Sequence, residues 1–308
     1  MKKLLAVLMI FAVLMTSVCM LQGCGENDDP TEPPSQSESS DETDPTKETY
    51  ADVDLKELEK DYPKDIKYDT EHEVGYQLDM PQKGDEIAVI HTSMGDITIR
   101  LFRENAPKTV ENFVELAKKG EYNDVPFHRV INDFMIQTGD TTNGDGTGGA
   151  TYNGEILPDE FCDKLFNIRG SVSMANSGRD TNSSQFFINQ TKPEATSSWD
   201  ELEDSWEYIY EGICAYFNTD SFISFAAYYG SSCYNPNLVS DEIKELYNKN
   251  GGNPHLDGAF NAVDRGHTVF GQVIDGMDVV DSIAAVEVDE NSKPKTDITI
   301  KSVEITQY

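Results

Sequence analysis

The sequence predicts a mainly β fold, a closed antiparallel barrel or a two-sheet sandwich, capped by two helices. Three observations carry the prediction. Short runs of alternating apolar residues recur between Glu86 and Ile305. Two amphipathic helical patterns, Ala106 to Gly120 and Gly276 to Ala285, lie early and late among them. Between strand groups, residues 191–253 switch to helical periodicity and hold both tryptophans, Trp199 and Trp206. Many short strands with few helices suit a sheet closed on itself or folded into two layers, and composition alone does not choose.

The N-terminal residues are expected to be a targeting segment. Lys2 and Lys3 form a positive start, and Leu4 to Leu21 is an apolar run. Leu21-Gln22-Gly23-Cys24 then resembles a bacterial lipobox. Residues 1–23 are therefore expected to be a lipoprotein signal peptide, and Cys24 the lipidated first residue of the mature chain. Gln22 departs from the small residue usual in its slot. An uncleaved anchor is the alternative, although the apolar run barely reaches the ~20 residues that a spanning helix needs. The cleaved reading places the folded part on the outer face of the cell membrane, tethered through Cys24. Residues 24–49 are rich in Asp, Glu, Ser, Thr and Pro, with no aromatic before Tyr50, so a disordered acidic tether is expected. Residues 50–85 form an N-terminal extension with a short helix from Val53 to Lys60, ahead of Pro63.

From Glu86 the pattern is strand. Ile87, Val89 and His91 alternate, Gly95-Asp96 reads as a turn, and Ile97, Ile99 and Leu101 alternate again. Ala106-Pro107 opens a helix whose apolar face is Val110, Phe113, Val114 and Ala117, and Lys118-Lys119-Gly120 closes it. The loop from Gly139 to Gly149 contains Asp140, Asn143 and Asp145, but it has neither the EF-hand spacing nor a closing glutamate, and no Walker lysine. It reads as flexible backbone between strands. Asp200 to Phe217 and Ser240 to Asn250 look helical, the second with Ser240 as N-cap and Gly251-Gly252 as C-cap. A last strand runs from Ile298 to Ile305.

A formal net charge of −32 over 308 residues argues against nucleic acid or anionic lipid headgroups as partners. Beyond Cys19 and Cys24 the cysteines are Cys162, Cys214 and Cys233. That odd count without paired spacing argues against a metal site, while a Cys214–Cys233 bridge stays open for an extracytoplasmic protein.

The most informative stretch is FHRVINDFMIQTGD, Phe127 to Asp140. It places Arg129 a few residues before an apolar pair and an amide, Phe134, Met135 and Gln137. SVSMANS (Ser171 to Ser177), SSQFFIN (Ser183 to Asn189), HLDG (His255 to Gly258) and HTVFGQV (His267 to Val273) follow in order. Together these segments resemble the cyclophilins, the barrel-shaped peptidyl-prolyl isomerases. The resemblance covers Glu86 to about Ile305. It implies a closed antiparallel cyclophilin-like β-barrel over residues 86–308, interrupted by an aromatic-rich helical insertion at 191–253 and a shorter one from Ala259 to Gly266.

It also implies the site. Arg129 would aim a donor at the proline nitrogen, and Gln137 would hold the substrate carbonyl and orient the guanidinium. Phe134, Met135, Phe187 and Leu256 would wall a proline slot, with His267 at its rim. Asn176 would bind the peptide backbone preceding proline, and Ala175 and Gln185 would line the adjoining groove. The expected partners are proline-containing segments of exported proteins, and bond rotation needs no cofactor. Three positions depart from the family's usual residues: His255 where an aromatic is common, Thr138 for a glycine, and Ser177 for a smaller residue. A catalytically weak peptide-binding or protein-binding module is the alternative function. The insertion is expected either to lie over the groove as a lid, wall or docking surface, or to bury its aromatics against itself and the barrel.

Overall fold

The computed structural model describes residues 55–61 and 64–308. The expected signal peptide, the expected lipidation site Cys24 and the expected acidic tether lie outside these residues. The strands, in chain order, are β1 (Ile66–Lys67), β2 (Glu86–Thr92), β3 (Gly95–Leu101), β4 (Arg129–Ile131), β5 (Met135–Thr138), β6 (Phe161–Cys162), β7 (Ser171–Met174), β8 (Phe186–Asn189), β9 (Val269–Asp275) and β10 (Ile300–Gln307). The helices are α1 (Leu55–Asp61), α2 (Pro107–Lys118), α3 (Trp199–Tyr216), α4 (Ser221–Tyr229), α5 (Asp241–Asn250) and α6 (Met277–Ala284).

Eight strands pair antiparallel in the order β10-β2-β3-β9-β7-β8-β5-β4, while β1 and β6 form a separate parallel pair. The expected closed barrel is therefore corrected to an open, half-barrel sheet whose edges, β10 and β4, form no ladder. The reason is local. With three residues, β4 is too short to run beside β10, and the segment ahead of it takes the contact instead. Phe127 donates its backbone N–H to the Ile298 carbonyl (2.8 Å), and Ile300 donates to Val125 (2.9 Å).

The pleat sorts side chains into two sets. Ile136, Val172, Met174, Phe186 and Ile188 face inward and join Ile90, Ile97, Ile99 and Phe270 in the main core. Helix α2 covers that core with Val110, Phe113 and Val114, and α6 with Val280 and Ile283. Ala106, the N-cap residue of α2, makes no side-chain cap; Glu160 instead accepts from the backbone N–H groups of Lys108 (3.2 Å) and Thr109 (2.8 Å). The β2–β3 turn is Ser93-Met94, two residues earlier than expected. Thr92 Oγ1 accepts from the Met94 N–H (3.0 Å) and donates to the Gly95 carbonyl (2.6 Å), closing the loop before Gly95. Gly95 itself has φ of 139°, and a Cβ there would lie 2.8 Å from Val279, so only glycine fits beneath α6.

The insertion is helical as expected, with one helix more. Ser198 and Glu201 form a capping box on α3, and Ser240 caps α5. Helix α4, SFISFAAYY, carries no apolar stripe to betray it, because it is apolar around most of its circumference. The aromatics bury themselves in two clusters. Trp206, Phe222 and Phe225 pack with Leu58 of α1; Tyr234 and Tyr247 pack with Phe166, Ile168 and Phe260 at the flank of the sheet domain. Each such burial stabilises by about 1.5–3 kcal/mol. Cys162, Cys214 and Cys233 are buried free thiols, so the open Cys214–Cys233 bridge is not formed.

Candidate active site

The outward face of β4, β5 and β8 carries a second apolar cluster, separate from the main core. Met135, Phe187 and Leu256 are buried together, with Ile131, Phe134 and Ala175 packed against them. Register explains the grouping: Arg129 pairs with Gln137, Ile131 with Met135, and Gln137 with Phe187, so all five side chains share one face. Asp133, with φ of 57°, makes the tight turn between β4 and β5 and delivers Phe134 to the cluster's edge. On the far side His267 stands edge-on to Phe187 (centroids 5.2 Å apart), and His255 stacks parallel to Phe134 (6.4 Å).

The polar half of the site is oriented by a relay. Gln185 Nε2 donates to the carbonyls of Gly146 (3.0 Å) and Gly148 (2.7 Å), which only accept, so its Oε1 must face Gln137. Gln137 Nε2 donates to that oxygen (3.0 Å), leaving Gln137 Oε1 to accept from Arg129 Nη1 (3.3 Å). The glycine loop thus sets the guanidinium through two amides. It is wound about Asp140, which is buried and accepts from the backbone N–H groups of Thr142, Asn143, Asp145, Gly146 and Gly148. Burial opposes the charge on Asp140, but those N–H groups outweigh it and hold the carboxyl far below the usual range. The loop read as flexible is an ordered cradle for one carboxylate.

The electrostatics favour one cation. Burial lowers the pKa of Arg129 from its usual value. Burial also lowers His267, against a raising hydrogen bond from its Nδ1 to the Met174 carbonyl (2.8 Å), and Arg129 lowers it further. Since that carbonyl only accepts, Nδ1 carries the proton and Nε2 is an acceptor. Burial pushes His255 down to about 4, and His128, beneath the glycine loop, down to about 4 as well.

The structure brings Arg129, Phe134, Met135, Gln137, Ala175, Gln185, Phe187, Leu256 and His267 together here, while Gln185 and Asn176 are engaged differently from the expectation. Gln185 is buried and acts within the relay rather than as an open lining. Asn176 Nδ2 donates to the Gly266 carbonyl (2.8 Å), so one amide hydrogen is already used. The three departures are absorbed: Thr138 is buried and donates to the Pro126 carbonyl (2.9 Å), Ser177 sits at an exposed turn on Thr181, and His255 stacks as an aromatic would. Ile131 was missed, although its place two residues after Arg129 on a strand was the available signal. His128 was also missed; nothing in its local spacing marks it.

The family model for "Cyclophilin type peptidyl-prolyl cis-trans isomerase/CLD" matches residues 87–305. A Staphylococcus saprophyticus protein named as a putative peptidyl-prolyl cis-trans isomerase is 42% identical over 233 residues, spanning 75% of this chain and 98% of that one. A Staphylococcus aureus (strain USA300) protein of the same name is 39% identical over 227 residues, spanning 73% and 94%. A solved Cryptosporidium parvum cyclophilin type peptidyl-prolyl cis-trans isomerase, determined in the presence of the dipeptide Ala-Pro, aligns with TM-score 0.48 at 25% identity over 72% of this chain and 99% of that one. With the family's motif segments in order and its match running from β2 to β10, the chain belongs to the cyclophilin-type peptidyl-prolyl cis-trans isomerases.

Proposed function

We propose that this chain accelerates rotation about X–Pro bonds in exported proteins, with Arg129 stabilising the twisted amide. The observation that carries the reading is a guanidinium fixed beside a six-residue apolar slot on the same sheet face. Rotation is slow because amide resonance must be broken, with a barrier of about 18–20 kcal/mol. As resonance is lost, the proline nitrogen pyramidalises and gains a lone pair. A donor aimed at that nitrogen binds the twisted state better than the planar one, and no bond is made or cleaved. Arginine suits this because it stays charged and its planar fork carries several N–H donors. Gln137 has one amide hydrogen beyond its bond to Gln185, available to the substrate carbonyl. Phe134, Met135, Phe187 and Leu256 hold the ring, with His267 at the rim, and Ala175 and Asn176 guide the preceding residues as an extended strand.

The place of action follows from residues 1–49: a cleaved leader, lipid on Cys24 and an acidic tether would hold the domain at the outer face of the cell membrane. Metabolic labelling with a fatty acid tests this; label lost in Cys24→Ala is expected, and label retained would contradict it. The activity is tested by exchange NMR on an Ala-Pro peptide with the full chain. Faster cis–trans exchange is expected; a folded chain that binds the peptide without accelerating exchange would instead be a binding module.

A further inference from the structure

A cavity of about 280 Å³ is lined by the β4–β5 turn and the insertion, and adjoins the proline cluster through Ile131 and Phe134, with His255 also in its lining. It is small beside drug-sized pockets of roughly 300–1,000 Å³, and suits one side chain. Ile131 and Leu202 give it an apolar stretch, while Ser205, Ser231 and Ser232 give it hydroxyls. Among the described residues, none of those three hydroxyls makes a hydrogen bond to protein. Asp133 contributes the one carboxylate of the lining, and no lysine or arginine lines it. The insertion around it carries eleven carboxylates against three lysines over residues 191–253, so the local field is negative. An apolar stem ending in free acceptors and a carboxylate fits a long cationic side chain, whose methylenes lie on Ile131 and Leu202 while its head meets the hydroxyls. On the proposed reading, Asn176 holds the residues before proline, which leaves the cavity beside Phe134 and His255 for the residues after it.

We infer that this cavity is a specificity subsite that takes a lysine or arginine side chain from the segment following proline. The inference rests on the proposed reading of the groove as a proline-peptide site. The test uses the full chain and two peptides of equal charge, Ala-Ala-Pro-Lys-Ala and Lys-Ala-Pro-Ala-Ala, with Kd and catalysed exchange both read by NMR. The overall field attracts both peptides alike; only the subsite separates them. Kd is expected to be about five-fold lower for the lysine after proline. That ratio should fall toward one in Asp133→Asn, where asparagine keeps the positive φ, and in Ser205→Leu, which fills the cavity from α3. A ratio near one in the unaltered chain, or one unmoved by both variants, overturns the subsite. Exchange without a Kd ratio leaves the isomerase reading standing alone; a Kd ratio without exchange leaves the subsite and removes the isomerase.

Discussion

The two walls of the groove are held in different ways. The wall of Arg129, Met135, Gln137 and Phe187 stands on β4, β5 and β8, where backbone ladders fix every position. The wall of His255, Leu256 and His267 has no ladder beneath it. It hangs from a buried polar network rooted in the insertion: Tyr247 donates to Asp257 Oδ2 (2.6 Å), and the backbone and side-chain amides of Asn167 donate to Asp257 Oδ1 (2.8 and 2.9 Å). Asn253 bridges Thr191 (3.0 Å) and Asn189 (2.7 Å), and the His267 N–H donates to the Leu256 carbonyl (3.0 Å). A ladder loses one side chain and keeps its course; a buried network that loses a member leaves polar groups unpaired in a low dielectric. The insertion therefore does more than bury its own aromatics. Excising residues 197–250 would remove Tyr247 and α5, so the second wall, not just access for large clients, depends on it.

The largest effect is expected from Tyr247→Ala. It empties a fully buried site and strips Asp257 of a donor, a loss of about 3–5 kcal/mol in denaturant unfolding together with weaker peptide binding. A variant as stable as the parent would mean that the second wall stands without the insertion.

Asp257 sharpens the contrast through pH. Burial pushes it up to about 7, while the bonds from Tyr247 and Asn167 pull the other way. Between roughly pH 4 and 7 the folded chain keeps this proton while the unfolded chain releases it, so the group's contribution to stability falls as pH rises. Asp257→Asn mimics the protonated form. Relative to the parent it is expected to gain stability across that window, by up to about 4 kcal/mol, and parallel stability–pH curves would refute the assignment.

Legibility in the sequence divides along the same line. The motif stretch from Phe127 to Asp140 made the ladder wall readable, because register follows from which residues share a face. Arg129, Gln137, Met135 and Phe187 share one sheet face. The open sheet edge was not readable, since the residues that meet Ile298 and Ile300 are Val125 and Phe127, ahead of β4, and only tertiary packing brings them together. Nor was the network behind the second wall: Asn167, Asn253 and Asp257 are 90 residues or fewer apart but share no period, and each is meaningful only when the others are in place. Helix α4 escaped because a helix apolar on most sides has no stripe.

The smallest effect is expected from the histidines. Burial holds His267 below its usual value and His255 down to about 4, so His255 gains no charge between about pH 7.5 and 6 and His267 charges less readily than an ordinary histidine. Peptide exchange should change less than about two-fold across that range, and an inflection near the ordinary histidine value of ~6.5 would show a second cation entering the groove beside Arg129.

The most direct test of the account is the kcat and peptide Kd of Arg129→Ala, measured by exchange NMR on an Ala-Pro peptide after its near-UV circular dichroism is matched to the parent. A donor that acts on the twisted amide predicts kcat lower by about 100-fold, with Kd changed less than about three-fold. A folded variant that keeps kcat and loses only affinity would contradict it, and would make Arg129 a peptide clamp.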